Sequence, residues 1–224
     1  MDGQIIILNG APRSGKSSIA AAIQATFDGV WINLGVDAYA QMTPPRLRPG
    51  IGLRPGGERP DIEAFVPRLY AALYDSIAAH SRLGLNVVTD VGHHDAHSGP
   101  LDILPDCARR LDGLPVLFVG VRCPIEAILQ RRAASATDGT YVTGSDEDPI
   151  PRPVRLWQEE VHKPSIYDLE VDTSWLGPQA CAEAIRQRLL AGPKPLAFRR
   201  LGQMRAKGKD SDRRSPVPRL PRKG

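Results

Sequence analysis

A glycine-bounded stretch near the start of the chain, GAPRSGKS at residues 10–17, constrains the fold more than any other feature. It follows an apolar, β-branched run at residues 4–8 and precedes a segment with helical spacing of apolar residues at 17–26. Strand, loop, Lys-Ser pair and helix in this order match the phosphate-binding loop Gly-x-x-x-x-Gly-Lys-Ser. Such glycines let backbone amides turn inward onto a phosphate, and the helix adds its positive N-terminus. The stretch therefore predicts a nucleotide-binding α/β domain.

The loop also predicts roles for its own side chains. Lys16 is placed to reach the β- and γ-phosphates of a nucleotide, and the Ser17 hydroxyl is placed to ligate the Mg²⁺ that bridges them. The predicted nucleotide-binding residues are the loop and the residue after it: Gly10, Ala11, Pro12, Arg13, Ser14, Gly15, Lys16, Ser17 and Ser18.

Two carboxylates follow predicted strands, and ligands of open parallel sheets bind at the carboxyl ends of strands. Asp37 comes after the strand at residues 30–34 and suits a general base, although it could instead be the N-cap of a helix starting at Ala38. Asp90 ends the strand at residues 85–90. This position favours a role in binding Mg²⁺ over that of a turn residue at the end of the strand.

Cations are expected from a helix that begins near Pro124. Arg131 and Arg132 stand at its end, where they could stabilise transition-state charge or simply interact with the helix dipole. Residues 127–153 are predicted to form a lid, because their later part contains Asp-Gly and an acidic run.

Two further segments lie where an acceptor could bind. Residues 43–60 are rich in Pro, Gly and Arg, and predict either a substrate-binding cap or a mobile loop with solvated arginines. The histidines at 93, 94 and 97 are expected to be solvent-exposed or to line the acceptor pocket rather than to bind a metal, because Mg²⁺ prefers oxygen ligands.

Composition limits the remaining possibilities. The 224 residues suffice for one domain, predicted at 1–192. Residues 193–224 hold 11 Lys/Arg against 2 Asp/Glu and predict a disordered basic tail, so the body carries about −5 and the tail +9. An acidic body argues against nucleic-acid binding on the folded domain.

Three dispersed cysteines and no long apolar run predict a cytoplasmic protein without a membrane span; a homo-oligomer is possible.

Beyond the loop, the chain resembles the chloramphenicol phosphotransferase-like family of small P-loop kinases. The blocks that carry the resemblance are residues 5–10 and 14–17, 35–37, 90–91, 119–123, 161–162 and 167–173. The resemblance implies a three-layer α/β/α fold with a five-stranded parallel sheet, ATP as donor, a lid near 127–141, and Asp37 as the base that activates the acceptor hydroxyl.

The implied activity is ATP-dependent phosphorylation of a small-molecule hydroxyl, with chloramphenicol as the leading acceptor and antibiotic inactivation as the consequence. Residues 43–60 and 92–94 depart from the family's drug-pocket sequence, so the reaction is implied more strongly than the acceptor. The alternatives are a kinase of another natural alcohol and a nucleotide-binding regulatory ATPase.

Overall fold

The computed structural model describes residues 1–134 and 150–204, so most of the predicted lid lies outside the described residues. Five parallel strands in the order β2-β3-β1-β4-β5 form its centre. They are β1 (Ile5–Asn9), β2 (Trp31–Asn33), β3 (Asn86–Val91), β4 (Val116–Arg122) and β5 (Leu169–Asp172). Continuous apolar runs make β1 and β4 almost wholly buried, as expected of strands covered on both faces. The central β1 therefore delivers its loop to the middle of the sheet's carboxyl edge.

Helices cover both faces of this sheet, and the predicted three-layer α/β/α architecture is confirmed. Helices α1 and α8 pack together on one face, while α4, α5 and α9 pack on the other, and α6 and α7 form a small cluster beside the loop. The bounds are α1 (Lys16–Thr26), α2 (Val36–Met42), α3 (Pro60–Glu63), α4 (Val66–Arg82), α5 (Ile103–Arg110), α6 (Ile125–Ala133), α7 (Arg152–Glu160), α8 (Pro178–Ala191) and α9 (Ala197–Gly202).

The amphipathic segment at residues 62–82, which predicts one helix, is divided in the structure. A short α3 ends at Glu63, and α4 begins afresh at Val66 with Pro67 in its first turn. Proline is favoured in the first turn of a helix because its missing N–H would have no partner there, so Pro67 marks a new start.

The predicted end of the ordered domain at residue 192 is wrong. Residues 197–202 form α9, which packs against α5 and β4 with Phe198 and Leu201 buried. The Asp168 carboxylate accepts hydrogen bonds from the backbone N–H groups of Leu196 and Ala197, at 2.7 and 3.0 Å. Burial of these apolar side chains and the bonds to the Asp168 carboxylate stabilise the segment, although its basic, Pro-rich composition favours disorder. Residues 205–224 of the predicted tail lie outside the described residues.

The segment at residues 43–60 is packed against the domain through its middle. Two short 3₁₀ turns, Pro45–Leu47 and Gly50–Gly52, interrupt it, and Ile51 and Leu53 are buried. Its second turn contacts α2 and α4. The segment thus forms a fixed wall beside the carboxyl edge of the sheet.

Candidate active site

The loop between β1 and α1 forms a cradle around the Lys16 ammonium. Lys16 Nζ donates hydrogen bonds to the carbonyl oxygens of Gly10 and Ala11, both at 2.9 Å. Gly15, the residue before α1, has φ +93°, a left-handed conformation that a side chain would strain. The first N–H groups of α1 have no intrahelical partner, so they remain available to an anion at this end of the helix.

Ser17 and Asp90 meet on the sheet side of this cradle. The Ser17 hydroxyl donates to Asp90 Oδ2 at 2.7 Å. Asp90 is the penultimate residue of β3, paired in register with Leu8, so the alternative that it is a turn residue is wrong. Its carboxylate is 8% exposed and fits against Gly35, where an added Cβ would lie 1.8 Å from Asp90 Oδ1. The pair offers two hard oxygen donors, which are the kind that Mg²⁺ prefers.

Asp37 lies in the first turn of α2 and lines the same cleft as Lys16 and Asp90. Gly35 is the N-cap of this helix, so the alternative that Asp37 caps a helix starting at Ala38 is wrong. Burial lowers the pKa of Lys16 to about 8, although the carboxylates of Asp90 and Asp37 act to raise it. Two acids and one lysine therefore share a single electrostatic environment at the carboxyl edge of the sheet.

Arg131 braces the loop from the opposite side. Its guanidinium donates to the carbonyl oxygens of Arg13 and Thr173, at 3.2 and 2.7 Å, and to Thr173 Oγ1 at 3.0 Å. Thr173 Oγ1 in turn donates to the Ser14 carbonyl at 2.8 Å. These bonds tie α6 and the end of β5 to the phosphate loop. They are more specific than an interaction with the helix dipole would be. Arg132 lines the cleft.

These residues surround one cleft of about 790 Å³. Seven of the nine predicted nucleotide-binding residues line it; Ala11 and Ser14 are buried beneath the loop instead. At one end the cleft is bounded by the arginines of α6 and by Thr173, Leu176, Gly177 and Pro178. At the other end it is bounded by Val36, Asp37, Ile51, Arg54, Tyr70, Val91 and Trp157. The phosphate loop lies between a region that suits a nucleotide and a region that suits an acceptor.

The three histidines near β3 are neither solvent-exposed nor part of the cleft lining. His93 is buried, and its Nε2 lies 2.7 Å from the Tyr74 hydroxyl. His94 Nε2 lies 2.7 Å from the Leu53 carbonyl oxygen, and the side chain of His97 stacks against His94. Burial lowers the pKa of His93 to about 3 and that of His97 to about 4. Histidines in a short polar run suggested exposure, but Leu53 of the 43–60 segment contacts His94, and Tyr70 and Tyr74 of α4 pack against His93.

A buried network behind the loop accounts for several blocks of the family resemblance. Asn9 Nδ2 donates to the Val161 carbonyl at 2.7 Å and to the Tyr167 hydroxyl at 2.8 Å, while its Oδ1 accepts from the His93 N–H. His162 Nδ1 lies 2.9 Å from the same Tyr167 hydroxyl. These residues fix the end of β1 and thus the start of the loop.

Cleft residues outside the loop were harder to find from the sequence. Arg54, Tyr70 and Trp157 lie on segments distant from the phosphate loop and match no motif. Thr173 was part of a resembling block, but its bond to the Ser14 carbonyl joins residues 159 positions apart. The composition of residues 43–60 was the one signal that pointed to Arg54.

The sheet is parallel, carries a phosphate loop after its central strand and is covered by helices on both faces. These features define the P-loop kinase class of folds. Solved structures agree: the APS kinase of Mycobacterium tuberculosis has a TM-score of 0.55 at 16% identity, covering 84% of this chain and 98% of that one. The shikimate kinase of Acinetobacter baumannii has a TM-score of 0.54 at 14% identity, with coverage of 84% and 94%.

Sequence comparison gives the family. The model of the chloramphenicol phosphotransferase-like proteins matches residues 3–190, so the chain belongs to that family. A protein of Mycobacterium tuberculosis strain H37Rv, provisionally named an O-phosphotransferase, is 28% identical over 214 residues, 89% of this chain and 88% of the relative. The chain is therefore an ATP-dependent phosphotransferase that acts on an alcohol group, a small-molecule kinase. Within the described residues no helix is long and apolar enough to cross a membrane.

Proposed function

We propose that the enzyme transfers the γ-phosphoryl group of ATP to a small-molecule hydroxyl with Asp37 as general base. The observation that carries the proposal is that Asp37 lines the same cleft as Lys16 and Asp90, at the carboxyl edge of the sheet. The acceptor oxygen attacks the γ-phosphorus, the bond to the β-phosphate bridging oxygen breaks, and ADP leaves. The proton of the acceptor hydroxyl passes to the Asp37 carboxylate.

The loop residues hold the donor in this scheme. The Lys16 ammonium, which donates to two carbonyl oxygens of the loop, would turn to the β- and γ-phosphates and neutralise part of their charge. The nine residues from Gly10 to Ser18 supply the cradle. The partial burial of Lys16 strengthens its interaction with phosphate, because the effective dielectric constant there is lower than in bulk water.

Ser17 and Asp90 are the residues that would hold Mg²⁺. Their oxygens already lie 2.7 Å apart, and Gly35 leaves room for the Asp90 carboxylate. When bound, Mg²⁺ supplies positive charge that offsets charge on the phosphate oxygens during transfer. Ser17 and Asp90 orient the donor relative to Asp37.

Arg131 and Arg132 are proposed to act on the donor side. Arg131 keeps the loop in place through its bonds to Arg13 and Thr173, while Arg132 faces the cleft, where its charge can stabilise the transferring group. A lid at residues 127–153 would begin within α6, which carries both arginines.

Chloramphenicol is the first candidate acceptor, because the matching family carries its name. Inactivation of that antibiotic would be the biological consequence in that case. Other small natural alcohols remain candidates, and the segment at 43–60 is where the choice between them would be made. Activity in the cytoplasm follows from the same proposal, since ATP and Mg²⁺ are abundant there.

The test is an acceptor panel with Mg²⁺-ATP, chloramphenicol included, read by mass spectrometry of the phosphorylated product. Asp37→Asn should lower kcat about 10²- to 10⁴-fold, the usual contribution of a general base, with nucleotide affinity retained. Asp28→Asn, at an exposed acid away from the cleft, is the matched control and should be silent. Hydrolysis of ATP that needs no acceptor, or full transfer by Asp37→Asn, would overturn the proposal and favour a regulatory ATPase.

A further inference from the structure

Among the described residues, the acceptor end of the cleft is largely apolar but contains the cation of Arg54. Val36, Ile51, Val91 and the indole of Trp157 provide apolar surface, and Asp37 is its acid. Arg54 is the cation that the segment at 43–60 contributes to the cleft lining. A neutral alcohol would need no such charge there, whereas a guanidinium is well suited to bind a planar anion.

Arg54 is held on a fixed frame rather than on a free loop. The residue before it, Leu53, is buried, and its carbonyl oxygen lies 2.7 Å from His94 Nε2. The Arg54 backbone N–H donates to Glu58 Oε1 at 2.9 Å. His94 in turn lies edge-on against Trp157, with ring centroids 4.9 Å apart, so the cation and the indole of the acceptor end share one support. Little conformational entropy would be lost when a ligand binds to such a frame.

The guanidinium of Arg54 is only partly engaged by the protein. Glu58 Oε2 lies 3.5 Å from Arg54 Nε, on the inner edge of the group. Within residues 1–134 and 150–204, the two terminal nitrogens of Arg54 make no hydrogen bond. The side chain is 43% exposed. The Glu58 pair therefore orients the guanidinium and leaves its terminal fork, the edge that binds a carboxylate in bidentate fashion, open.

We infer that the acceptor is an alcohol that also carries an anionic group, a carboxylate in the first instance, and that Arg54 is the residue that selects it. The inference rests on the proposed function, since it concerns the acceptor end of that same cleft. Arg54 binds the anion at its terminal nitrogens, and the acceptor hydroxyl is thereby directed to Asp37. An acidic alcohol is favoured over a neutral one of the same shape, so acidic alcohols rank above chloramphenicol, a neutral alcohol whose candidacy rests on the family name.

The experiment measures equilibrium binding, so that it does not depend on turnover. The full chain is saturated with Mg²⁺ and AMPPNP and titrated calorimetrically with matched acids and amides: meta-(hydroxymethyl)benzoate and its amide, and quinate and its amide. The acids should bind about tenfold more tightly than their amides or better, the usual effect of a charge-assisted hydrogen-bonded pair. Arg54→Gln should bring the ratio of the two affinities close to one, and Arg54→Lys should retain part of it.

Arg46→Gln is the matched control, because Arg46 belongs to the same segment, is exposed and does not line the cleft. It should leave the acid-to-amide ratio unchanged. If wild type binds the acids no better than the amides, or if Arg54→Gln keeps the preference, the inference is overturned. If the acids bind in an Arg54-dependent way but no acid or alcohol of the panel receives phosphate from Mg²⁺-ATP, the anion-binding role of Arg54 stands and the proposed reaction fails separately.

Discussion

At the residue scale, Lys16 is subject to two opposing influences. Burial in the cleft disfavours its charged form and lowers its pKa to about 8, while Asp90 and Asp37 favour that form. The ammonium needed for phosphate binding is therefore partly lost just above neutrality in the free enzyme. A bound phosphate would restore it, so nucleotide binding above this pKa should take up a proton.

This gives a pH dependence with a definite sign. The dissociation constant for AMPPNP should be nearly constant from about pH 7 to 7.5 and should rise toward tenfold per unit above about pH 8, because the free enzyme then holds a neutral amine. Calorimetry between about pH 7 and 9.5 measures it. Lys16→Arg, which stays charged throughout, should bind more weakly but with a flat profile. A wild-type profile as flat as that of the arginine variant would contradict the assignment.

Thr173 is a second residue whose effect can be separated from chemistry. Thr173→Val removes the hydroxyl that donates to the Ser14 carbonyl and accepts from Arg131, so the Ser14 carbonyl loses this bond beneath the loop and Arg131 loses one of its contacts to β5. We expect KM for ATP to rise about tenfold and the free energy of unfolding to fall by about 1–3 kcal/mol.

Steady-state kinetics and urea unfolding measure the two effects of Thr173→Val. Ser174→Ala, which removes an exposed hydroxyl that donates to Asp172 on the same turn, is the control and should change neither quantity appreciably. Equal effects of the two variants would show that the turn in general matters and not the brace to the loop.

How far the site could be predicted differs from residue to residue. Lys16 and Ser17 are fixed by a local string, because loop geometry within eight residues decides where their side chains lie. Arg131 was found as a candidate cation, but its bonds to Arg13 and Thr173 span 118 and 42 positions. No local periodicity encodes a contact of that separation, so its bracing contacts required the folded chain.

At the element scale, α9 shows where composition misleads. Its six residues are too few for a helical period to stand out, and the surrounding prolines and arginines suggest disorder. Only three of its side chains, Ala197, Phe198 and Leu201, are buried, yet they meet the core formed by α4, α5 and β4. The long β-branched strands, in contrast, can be predicted from the sequence, because a run of neighbouring apolar residues determines their burial.

Phe198 should carry much of the stability of α9. Its ring stacks on Tyr74 at 6.3 Å and meets Phe118 edge-on at 4.9 Å between centroids. Phe198→Ala should lower the free energy of unfolding by about 3 kcal/mol, the usual cost of such a truncation in a core. Leu196→Ala, 47% exposed on the same segment, should cost no more than about 0.5 kcal/mol. Urea unfolding followed by circular dichroism compares them, and similar losses would contradict the packing role of Phe198.

At the scale of the whole molecule, the sheet order and the layers follow from few sequence features. The phosphate loop places β1 at the centre, and parallel strands joined by helices must cross over the faces. The extent of the folded unit does not follow from them. It depends on whether a short apolar segment beyond α8 finds a complementary surface, here the one that Asp168, Tyr74 and Phe118 provide.

Two truncations test that extent. Ending the chain at residue 204 removes 8 of 29 Lys/Arg and 2 of 25 Asp/Glu, so the formal net charge changes from +4 to −2, while every described contact of α9 remains. Unfolding midpoint and kcat should then match those of the full chain. Ending it at residue 192 removes α9 and uncovers Tyr74 and Phe118, so the midpoint should fall and binding of a hydrophobic dye should rise.

The two truncations also separate charge from packing. If stability depended on the basic residues at 205–224, for instance by offsetting the acidic body, the loss would appear already on ending the chain at 204 and would grow at low salt. If it depends on α9, the loss appears only on ending the chain at 192 and is insensitive to salt, because burial of the Phe198 and Leu201 side chains is apolar. Thermal unfolding at low and high ionic strength distinguishes them, and a chain ending at 192 that is as stable as the full chain would show that the folded unit ends with α8.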